Sequence, residues 1–256
     1  MDFNAKKTKE MIISYKKDSD QQQPLSLNGV QVSRIYNHSH LGILLNHNLK
    51  WTAYIDELVA KTSRRLNLMR RLMYKVDRES LETIYMSFIR PCLEYGDVLF
   101  TNANDNDLAK LDAIQLEAMR ICIGATARSN INLLYEECRW PHLTDRRTHH
   151  CLTMMYKIVN GHVPVYLQEL LPDTVGNNTT YQLRNNEEMR VPFARLEIFK
   201  KSFILSMIDA WNKLDITTKN SPTISSFKTL TKPNNEPKRE ILYYGSRWAS
   251  IHHSRI

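Results

Sequence analysis

The chain has 256 residues, of which 42% are hydrophobic, and it carries a formal net charge of +8 at pH 7. This length allows one large domain or two small ones. No apolar run reaches the roughly eighteen residues of a transmembrane helix. The positive charge favours an acidic partner, and nucleic acid is the commonest of these.

The four cysteines are scattered along the chain, mostly in apolar surroundings: Cys92, Cys122, Cys138 and Cys151. This distribution predicts reduced thiols, which are typical of cytosolic and nuclear proteins. The opening stretch MDFNAKKTKE lacks the apolar segment that directs a protein to secretion. We therefore expect a cytoplasmic or nuclear protein that makes no contact with a membrane.

The first part of the chain has the pattern of short antiparallel strands. Apolar or alternating runs occur at residues 11–15, 25–27, 30–32 and 41–45. The dipeptide Asn28-Gly29 between two of these runs is a strong signal for a two-residue hairpin turn. We expect two or three strands in this part of the chain.

After Trp51 the apolar periodicity becomes that of a long helix. The apolar face of this helix consists of residues at alternating four- and three-residue spacing: Ile55, Val59, Thr62, Leu66, Met69, Met73 and Val76. On the opposite face the sequence predicts a row of cations, here termed the basic stripe: Lys61, Arg64, Arg65, Arg71 and Lys75. Such a row suits a phosphate backbone, because each neutralised phosphate releases counterions. The alternative is an ordinary solvated helix face.

The remainder of the chain is predicted to be mainly helical. Acidic residues that follow Val76 mark a second helix, which Pro91 ends or kinks. Further helices are expected at residues 106–123, 144–160 and 194–213. The expected fold class is mainly α with a small N-terminal antiparallel β edge, which is an α+β arrangement. The polar stretch 173–188 is predicted to be a mobile loop, and the tail from residue 232 to be disordered.

Catalytic and metal sites are harder to find in the sequence. No glycine-rich phosphate loop and no GxSxG motif is present. A zinc site would need paired ligands such as CxxC, which the nearest candidates do not form: Cys138, His142, His149, His150 and Cys151. Asp105 and Asp107 lie at a predicted helix start, where capping explains them. The stretch EYGD at residues 94–97 lacks the two adjacent aspartates of a polymerase signature. We therefore assign no residue to a metal.

The start of the chain carries a motif with a counterpart in a known family. Phe3, Asn4, Lys7, Thr8 and Met11 have the spacing of Phe-Asn-x-x-Lys-Thr-x-x-Met. In the reverse transcriptases of non-LTR retrotransposons this motif follows the catalytic Tyr-x-Asp-Asp turn and belongs to the palm. The chain resembles the C-terminal half of those enzymes, and we expect it to begin after the catalytic aspartates.

The resemblance continues through an ordered series of segments and covers roughly residues 2–230. The matching segments are HLGI at 40–43, LKW at 49–51, LETIYMSFIRPCLEYG at 81–96, LDAIQLEAMRICIG at 111–124, LTDRR at 143–147, KIVNG at 157–161, PVYL at 164–167 and FILSMIDAWNKL at 203–214. The resemblance implies a residual palm edge with the primer-grip hairpin at residues 1–50. A helical thumb follows at 51–125, a helical connector at 126–231 and the tail at 232–256.

The resemblance also implies roles for individual residues. Lys7 would match the lysine that donates a proton to the pyrophosphate leaving group, which requires a metal-bound triphosphate in front of it. Leu41 and Gly42 would belong to the hairpin that holds the primer end, and His40 stands where the family usually has Tyr or Phe. The basic stripe would lie against the template–primer duplex and meet it at phosphates and sugars.

The implied partner is a template–primer duplex of RNA and DNA, or of DNA. The missing palm and fingers of the parent polyprotein are a further expected partner. No cofactor is expected in this chain, and Mg²⁺ is expected only in the full-length parent. The chain would then bind nucleic acid without polymerising by itself.

Alternatives remain open at this stage. The chain can instead be a helical protein-interaction module, or an inactive relic without a role in nucleic-acid binding. Lys7 can be an ordinary solvated lysine beside Lys6 and Lys9. An independent enzyme of another class has no nucleophile–base pair or metal cluster to support it.

Overall fold

The computed structural model describes residue 4 and residues 7–14, 23–178 and 186–233. The described chain is mainly helical with small sheets, so the predicted α+β class is confirmed. No helix among these residues combines the length and apolar character needed to cross a bilayer. Most of the predicted tail, from residue 234 onward, lies outside the described residues, as does the middle of the predicted loop at 173–188.

The strands lie before residue 50 and are short. They are β1 (Lys9–Glu10), β2 (Ser26–Leu27), β3 (Val30–Gln31), β4 (Ser33–Arg34), β5 (Asn37–His40) and β6 (Ile43–Asn46). β2 pairs with β3 and β5 with β6 as antiparallel hairpins, the first at the predicted Asn28-Gly29 turn. The expectation of two or three strands is too low, and the predicted run at 41–45 divides between the second turn and β6.

The expectation of an entirely antiparallel edge is wrong for β1, which runs parallel to β4. The chain passes through the first hairpin before it returns as β4, so the two strands point the same way. Side chains hold the pair together: Arg34 forms an ion pair with Glu10 at 3.4 Å, and Lys9 donates to Ser33 at 2.7 Å. The predicted strand at residues 11–15 is not formed at residues 11–14, and residue 15 lies outside the described residues.

α1 (Thr52–Leu72) has the predicted apolar face, which packs against α4 (Asp105–Ile123). The buried residues of α1 are Tyr54, Ile55, Leu58, Thr62, Leu66 and Met69. α4 begins at the N-cap Asn104, whose side chain accepts from the amide of Asp107 at 2.8 Å. It ends at Gly124, whose φ of +67° is the left-handed conformation that favours glycine.

Between these helices lies a continuous helical segment that changes its winding. α2 (Arg78–Ile84) passes into a π-helical turn (Tyr85–Ile89) and then into α3 (Arg90–Leu93). Buried apolar residues recur every four positions along it, at Leu81, Tyr85, Ile89 and Leu93. An α-helix would rotate such a series off one face, and the wider π turn keeps it in line. Phe88, an apolar residue within the π-helical turn, is 43% exposed.

These helices form a first core, to which the unpredicted helix α5 (Ile131–Cys138) also contributes. Tyr85 stacks on Trp140 with ring centroids 4.1 Å apart. The buried amide of Gln115 links the elements: it accepts from the Tyr85 hydroxyl at 2.6 Å and donates to the Pro141 carbonyl at 2.9 Å. The first core therefore continues beyond residue 125, where the predicted thumb ends.

α6 (Leu143–Val159) begins in the first core with Leu143 and ends in a second core with Leu152, Met155 and Tyr156. The second core also contains Met189, Ile208, Trp211 and Phe227. The helices that surround it are α7 (Val165–Gln168), α8 (Glu197–Lys200), α9 (Phe203–Asn212), α10 (Ile216–Lys219) and α11 (Ile224–Leu230).

The single long helix expected at residues 194–213 is wrong, because it divides into α8 and α9. Ser202 lies between the two helices with an extended backbone (φ −63°, ψ 154°), which interrupts helical winding. The apolar residues before the break, Leu196 and Phe199, are exposed. The sequence continues one apolar period across the break, so periodicity alone does not reveal it.

Candidate nucleic-acid interface

The hairpin of β5 and β6 turns at Leu41 and Gly42, the two residues for which the resemblance implies a primer contact. His40 pairs with Ile43 across the turn. Leu41 has a φ of +49° and Gly42 a φ of +77°. Two successive residues with positive φ form the type I′ turn that suits the twist of a hairpin. A leucine in this conformation costs about 1 kcal/mol, because its Cβ approaches the following carbonyl oxygen.

The Leu41 side chain is 76% exposed at the tip of the hairpin. The Leu41 side chain makes few contacts with the rest of the protein. Packing therefore does not compensate for the strain of its backbone conformation. Strain of this kind is concentrated at functional sites. The tip therefore has the character of a contact surface.

The backbone of the tip is held by an aromatic residue of the helical body. The Tyr95 hydroxyl donates to the Leu41 carbonyl at 2.6 Å, across 54 positions of sequence. The Tyr54 hydroxyl in turn donates to the Tyr95 carbonyl at 2.9 Å. Burial, together with the neighbouring Tyr95, raises the pKa of Tyr54 to about 12. Tyr54 is therefore a neutral donor at physiological pH.

The hairpin also packs closely on Gly96. A Cβ at this position would lie 2.9 Å from Cδ1 of Ile43, and Gly96 has a φ of +72°. Both observations favour glycine here. No local sequence pattern connects Tyr95 and Gly96 to the hairpin, since the contact is remote in sequence.

Four cations of the basic stripe are exposed to solvent: Lys61, Arg64, Arg71 and Lys75. None of them forms an ion pair with a carboxylate in the part of the chain that the structure describes. Arg64 donates only to the carbonyl of Ala60, one turn earlier, at 3.3 Å. Lys75 lies beyond the end of α1, next to Tyr74, which is 82% exposed.

The fifth member of the basic stripe, Arg65, has a different environment. Its guanidinium lies over the Phe88 ring, 4.1 Å from the centroid, and donates to the Phe88 carbonyl and, at 2.7 Å, to Cys92 Sγ. Arg65 therefore ties α1 to the π-helical turn. Its charge is less available to a ligand than the other four.

The basic residues that flank the stripe are neutralised by carboxylates. Arg70 pairs with Glu117 at 2.8 Å. Arg78 pairs with Glu82 at 2.7 Å and with Glu137 at 2.6 Å. Among the described residues, the contrast leaves a patch of four cations without a carboxylate partner, three along α1 and Lys75 just beyond its C-terminal end.

Lys7 lies in a turn two residues before β1 and is exposed. Its amide and that of Thr8 both donate to the carbonyl of Asn4 at 3.0 Å. This turn gives Lys7 a defined backbone position at the start of the parallel β1–β4 pair. The assignment of Lys7 as a proton donor stays a prediction.

The cysteines and histidines considered for zinc point into separate contacts. Cys138 and Cys151 are buried, and burial raises the pKa of each thiol to about 12. His149 lies 3.0 Å from the Thr231 carbonyl, and His150 lies 2.5 Å from Asp97. Within residues 4, 7–14, 23–178 and 186–233, no group of three or more His, Cys, Asp or Glu side chains could hold a metal ion.

The expectation that Asp105 and Asp107 cap a helix is wrong, because the N-cap of α4 is Asn104 and both aspartates lie in the first helical turn. The Asp107 carboxylate binds side chains instead. It accepts hydrogen bonds from Thr52 at 2.6 Å and from Lys110 at 2.9 Å. Burial acts to raise the pKa of this carboxyl, but the hydrogen bonds outweigh it and lower the pKa below its ordinary value. Asp107 is thereby committed to holding α1 against α4.

Comparison of the chain with protein-family models, with curated proteins and with solved structures finds no match.

Proposed function

We propose that this chain is the C-terminal part of a non-LTR retrotransposon reverse transcriptase, from the end of the palm through the thumb and connector. In this proposal it binds a template–primer duplex through α1 and the β5–β6 hairpin. The observation that carries the proposal is the patch of four exposed cations that have no carboxylate partner among the described residues: Lys61, Arg64, Arg71 and Lys75. The order of the sequence motifs supplies the family.

The patch suits a phosphate backbone better than it suits an acidic protein. Each cation that neutralises a phosphate releases condensed counterions, which favours binding without regard to base sequence. The hairpin tip adds a contact of another kind, because Leu41 presents an apolar side chain and its neighbouring backbone is fixed by Tyr95. Apolar and backbone contacts of this kind suit the sugar of a primer end.

The proposal does not assign polymerisation to this chain. The sequence contains no pair of adjacent aspartates, so the residues that hold Mg²⁺ in the parent enzymes have no counterpart among its 256 residues. Lys7 would donate a proton to a leaving pyrophosphate only beside such a metal site. The activity proposed for the chain itself is binding.

The test is the salt dependence of binding to a labelled RNA–DNA duplex, measured by fluorescence anisotropy between about 50 mM and about 200 mM salt. The variant is Lys61→Ala/Arg71→Ala/Lys75→Ala, which leaves Arg65 and its packing on Phe88 intact. Each lost phosphate contact should reduce the slope of log K against log salt by about 0.9, so we expect a reduction of up to about 2.7.

The matched control is Lys201→Ala/Lys213→Ala/Lys228→Ala, which also removes three exposed cations, all outside the first core. We expect this control to keep most of the affinity and slope of the wild type. Absence of binding at low salt would refute the proposal and leave the interaction module as the better account. Equal losses in variant and control would show that net charge, and not the patch on α1, causes binding.

A further inference from the structure

Residues 94–97, the stretch EYGD, follow α3 and contact both the β5–β6 hairpin and α6. They are here termed the bracket. Their middle members face the hairpin: Tyr95 donates to the Leu41 carbonyl at 2.6 Å, and Gly96 provides the space that Ile43 occupies. Their outer members, Glu94 and Asp97, face α6.

The contacts with α6 are charged and largely buried. Arg146 forms a two-point ion pair with Glu94, in which Nη2 lies 3.0 Å from Oε2 and Nε contacts Oε1. Nδ1 of His150 lies 2.5 Å from the Asp97 carboxylate, and the Asp97 side chain is 7% exposed. Nε of Arg90 also lies 3.7 Å from Oε1 of Glu94. Paired geometry of this kind fixes orientation as well as distance.

The bracket is short and internally hydrogen-bonded, so its residues that face the hairpin and those that face α6 cannot move independently. Its backbone is a tight turn in which the Asp97 amide donates to the Glu94 carbonyl at 3.2 Å and the Leu99 amide to the Gly96 carbonyl at 2.8 Å. Gly96 holds the left-handed conformation that this turn requires. A displacement of Glu94 is therefore transmitted to Tyr95 and from there to the hairpin tip.

We infer that α6 sets the position of the hairpin tip through the bracket, and that Arg146 is a positioning residue for Leu41 and Gly42. The inference goes beyond the proposed function, because it concerns the free protein. Its consequence for nucleic acid rests on the proposed function. A helix outside the predicted thumb would then determine how the primer-grip hairpin is presented.

The test is amide hydrogen exchange of the free protein, followed at residues 43–46 of the hairpin. The variant is Glu94→Gln, which keeps the volume of the side chain and removes its charge. The matched control is Glu82→Gln, which breaks the ion pair with Arg78 in the same core, away from the hairpin. We expect exchange at residues 43–46 to become about tenfold faster in Glu94→Gln and to stay unchanged in Glu82→Gln.

Exchange in the interior of α4 separates positioning from general destabilisation. In Glu94→Gln these amides should exchange as in the wild type. Acceleration of α4 and the hairpin by the same factor would overturn the inference, as would unchanged exchange in the hairpin. A second variant, Arg146→Lys, retains the charge but loses the two-point geometry, and we expect an intermediate acceleration at residues 43–46.

Duplex binding by Glu94→Gln distinguishes this inference from the proposed function. We expect a weaker affinity with an unchanged salt slope, because the phosphate contacts of α1 remain. A loosened hairpin with wild-type affinity would support the positioning role of Arg146 and refute the hairpin contact with nucleic acid. An unchanged hairpin would refute the positioning role whatever the affinity.

Discussion

The two antiparallel hairpins have the same turn and different residues at its first position. The β2–β3 hairpin turns at Asn28 and Gly29, with φ of +52° and +77°. The β5–β6 hairpin turns at Leu41 and Gly42, with φ of +49° and +77°. Asparagine is a residue that this turn prefers, whereas leucine is strained there.

The surroundings of the two turns differ as well. A Cβ at Gly29 would meet nothing within 4 Å, so the first turn projects freely. The second turn is anchored by Tyr95 and packs on Gly96, yet its leucine remains exposed. Asn28 is thus a residue type that the turn conformation favours. Leu41 is disfavoured by the same conformation, and it is exposed to solvent.

The largest expected effect contrasts Gly96→Ala with Gly29→Ala. At Gly96 a methyl group adds a contact of 2.9 Å with Ile43 to the strain of a positive φ. We expect a loss of about 2 kcal/mol in the free energy of unfolding. At Gly29 only the strain applies, and the loss should not exceed about 1 kcal/mol. Urea denaturation of both variants measures the difference, and equal losses would show that the second hairpin is not seated on the body.

The next effect is a reciprocal exchange of the turn residues. Leu41→Asn relieves the strained leucine and should raise the free energy of unfolding by about 1 kcal/mol, whereas Asn28→Leu should lower it by a similar amount. Urea denaturation measures both. The proposed primer contact predicts that Leu41→Asn also weakens duplex binding and that Asn28→Leu does not. If Leu41→Asn is more stable and binds as the wild type does, the exposed leucine has no role in binding.

A smaller effect is expected for Tyr95→Phe, which removes the hydrogen bond to the Leu41 carbonyl and keeps the ring. Because Tyr95 is about half exposed, water can replace part of this bond. We expect a loss of about 0.5 kcal/mol in the free energy of unfolding. Hydrogen exchange at residues 43–46 should become faster, while the β2–β3 hairpin, for which the described residues provide no such anchor, is unaffected. Unchanged exchange at residues 43–46 would mean that packing on Gly96 suffices to hold the tip.

The last effect is a pH dependence of stability, which is absent near neutral pH because Tyr54 is uncharged in both the folded and the unfolded chain. Burial raises the pKa of Tyr54 to about 12, so folding favours the neutral phenol. This contribution is complete below about pH 10 and is lost as pH rises from there towards about 12. Urea denaturation from about pH 9 to about pH 11 should therefore show a steeper decline for the wild type than for Tyr54→Phe. Parallel declines would contradict a buried, neutral Tyr54 beneath the hairpin.

The elements that the sequence predicts well have strong local signals. Asn28-Gly29 predicts its turn, the apolar period predicts the buried face of α1, and Gly124 predicts the end of α4. The short helix α5 was not expected, because a few apolar residues do not establish a period. The break at Ser202 is not predicted either, because the apolar period continues across it.

The residues of the candidate site also fall into two groups, those that a local pattern predicts and those that depend on contacts remote in sequence. Exposure of Lys61, Arg64 and Arg71 follows from helical geometry and is as predicted. The commitment of Arg65 to Phe88 and Cys92 depends on a helix that begins later in the chain, and no local pattern encodes it. The same holds for Tyr95, whose partner Leu41 lies 54 positions away. Contact of these residues with nucleic acid stays a prediction.

The position of α6 in both cores has a consequence for the order of events during synthesis. Its first residue, Leu143, belongs to the first core, and Tyr156 belongs to the second. Chains are made from the N-terminus at about 5–20 residues per second, so the first core can close once the beginning of α6 has left the ribosome. The second half of α6 would then have an exposed apolar face before Trp211 and Phe227 have been translated. We expect a ribosome-bound intermediate with a folded first core and an exposed apolar face on the second half of α6.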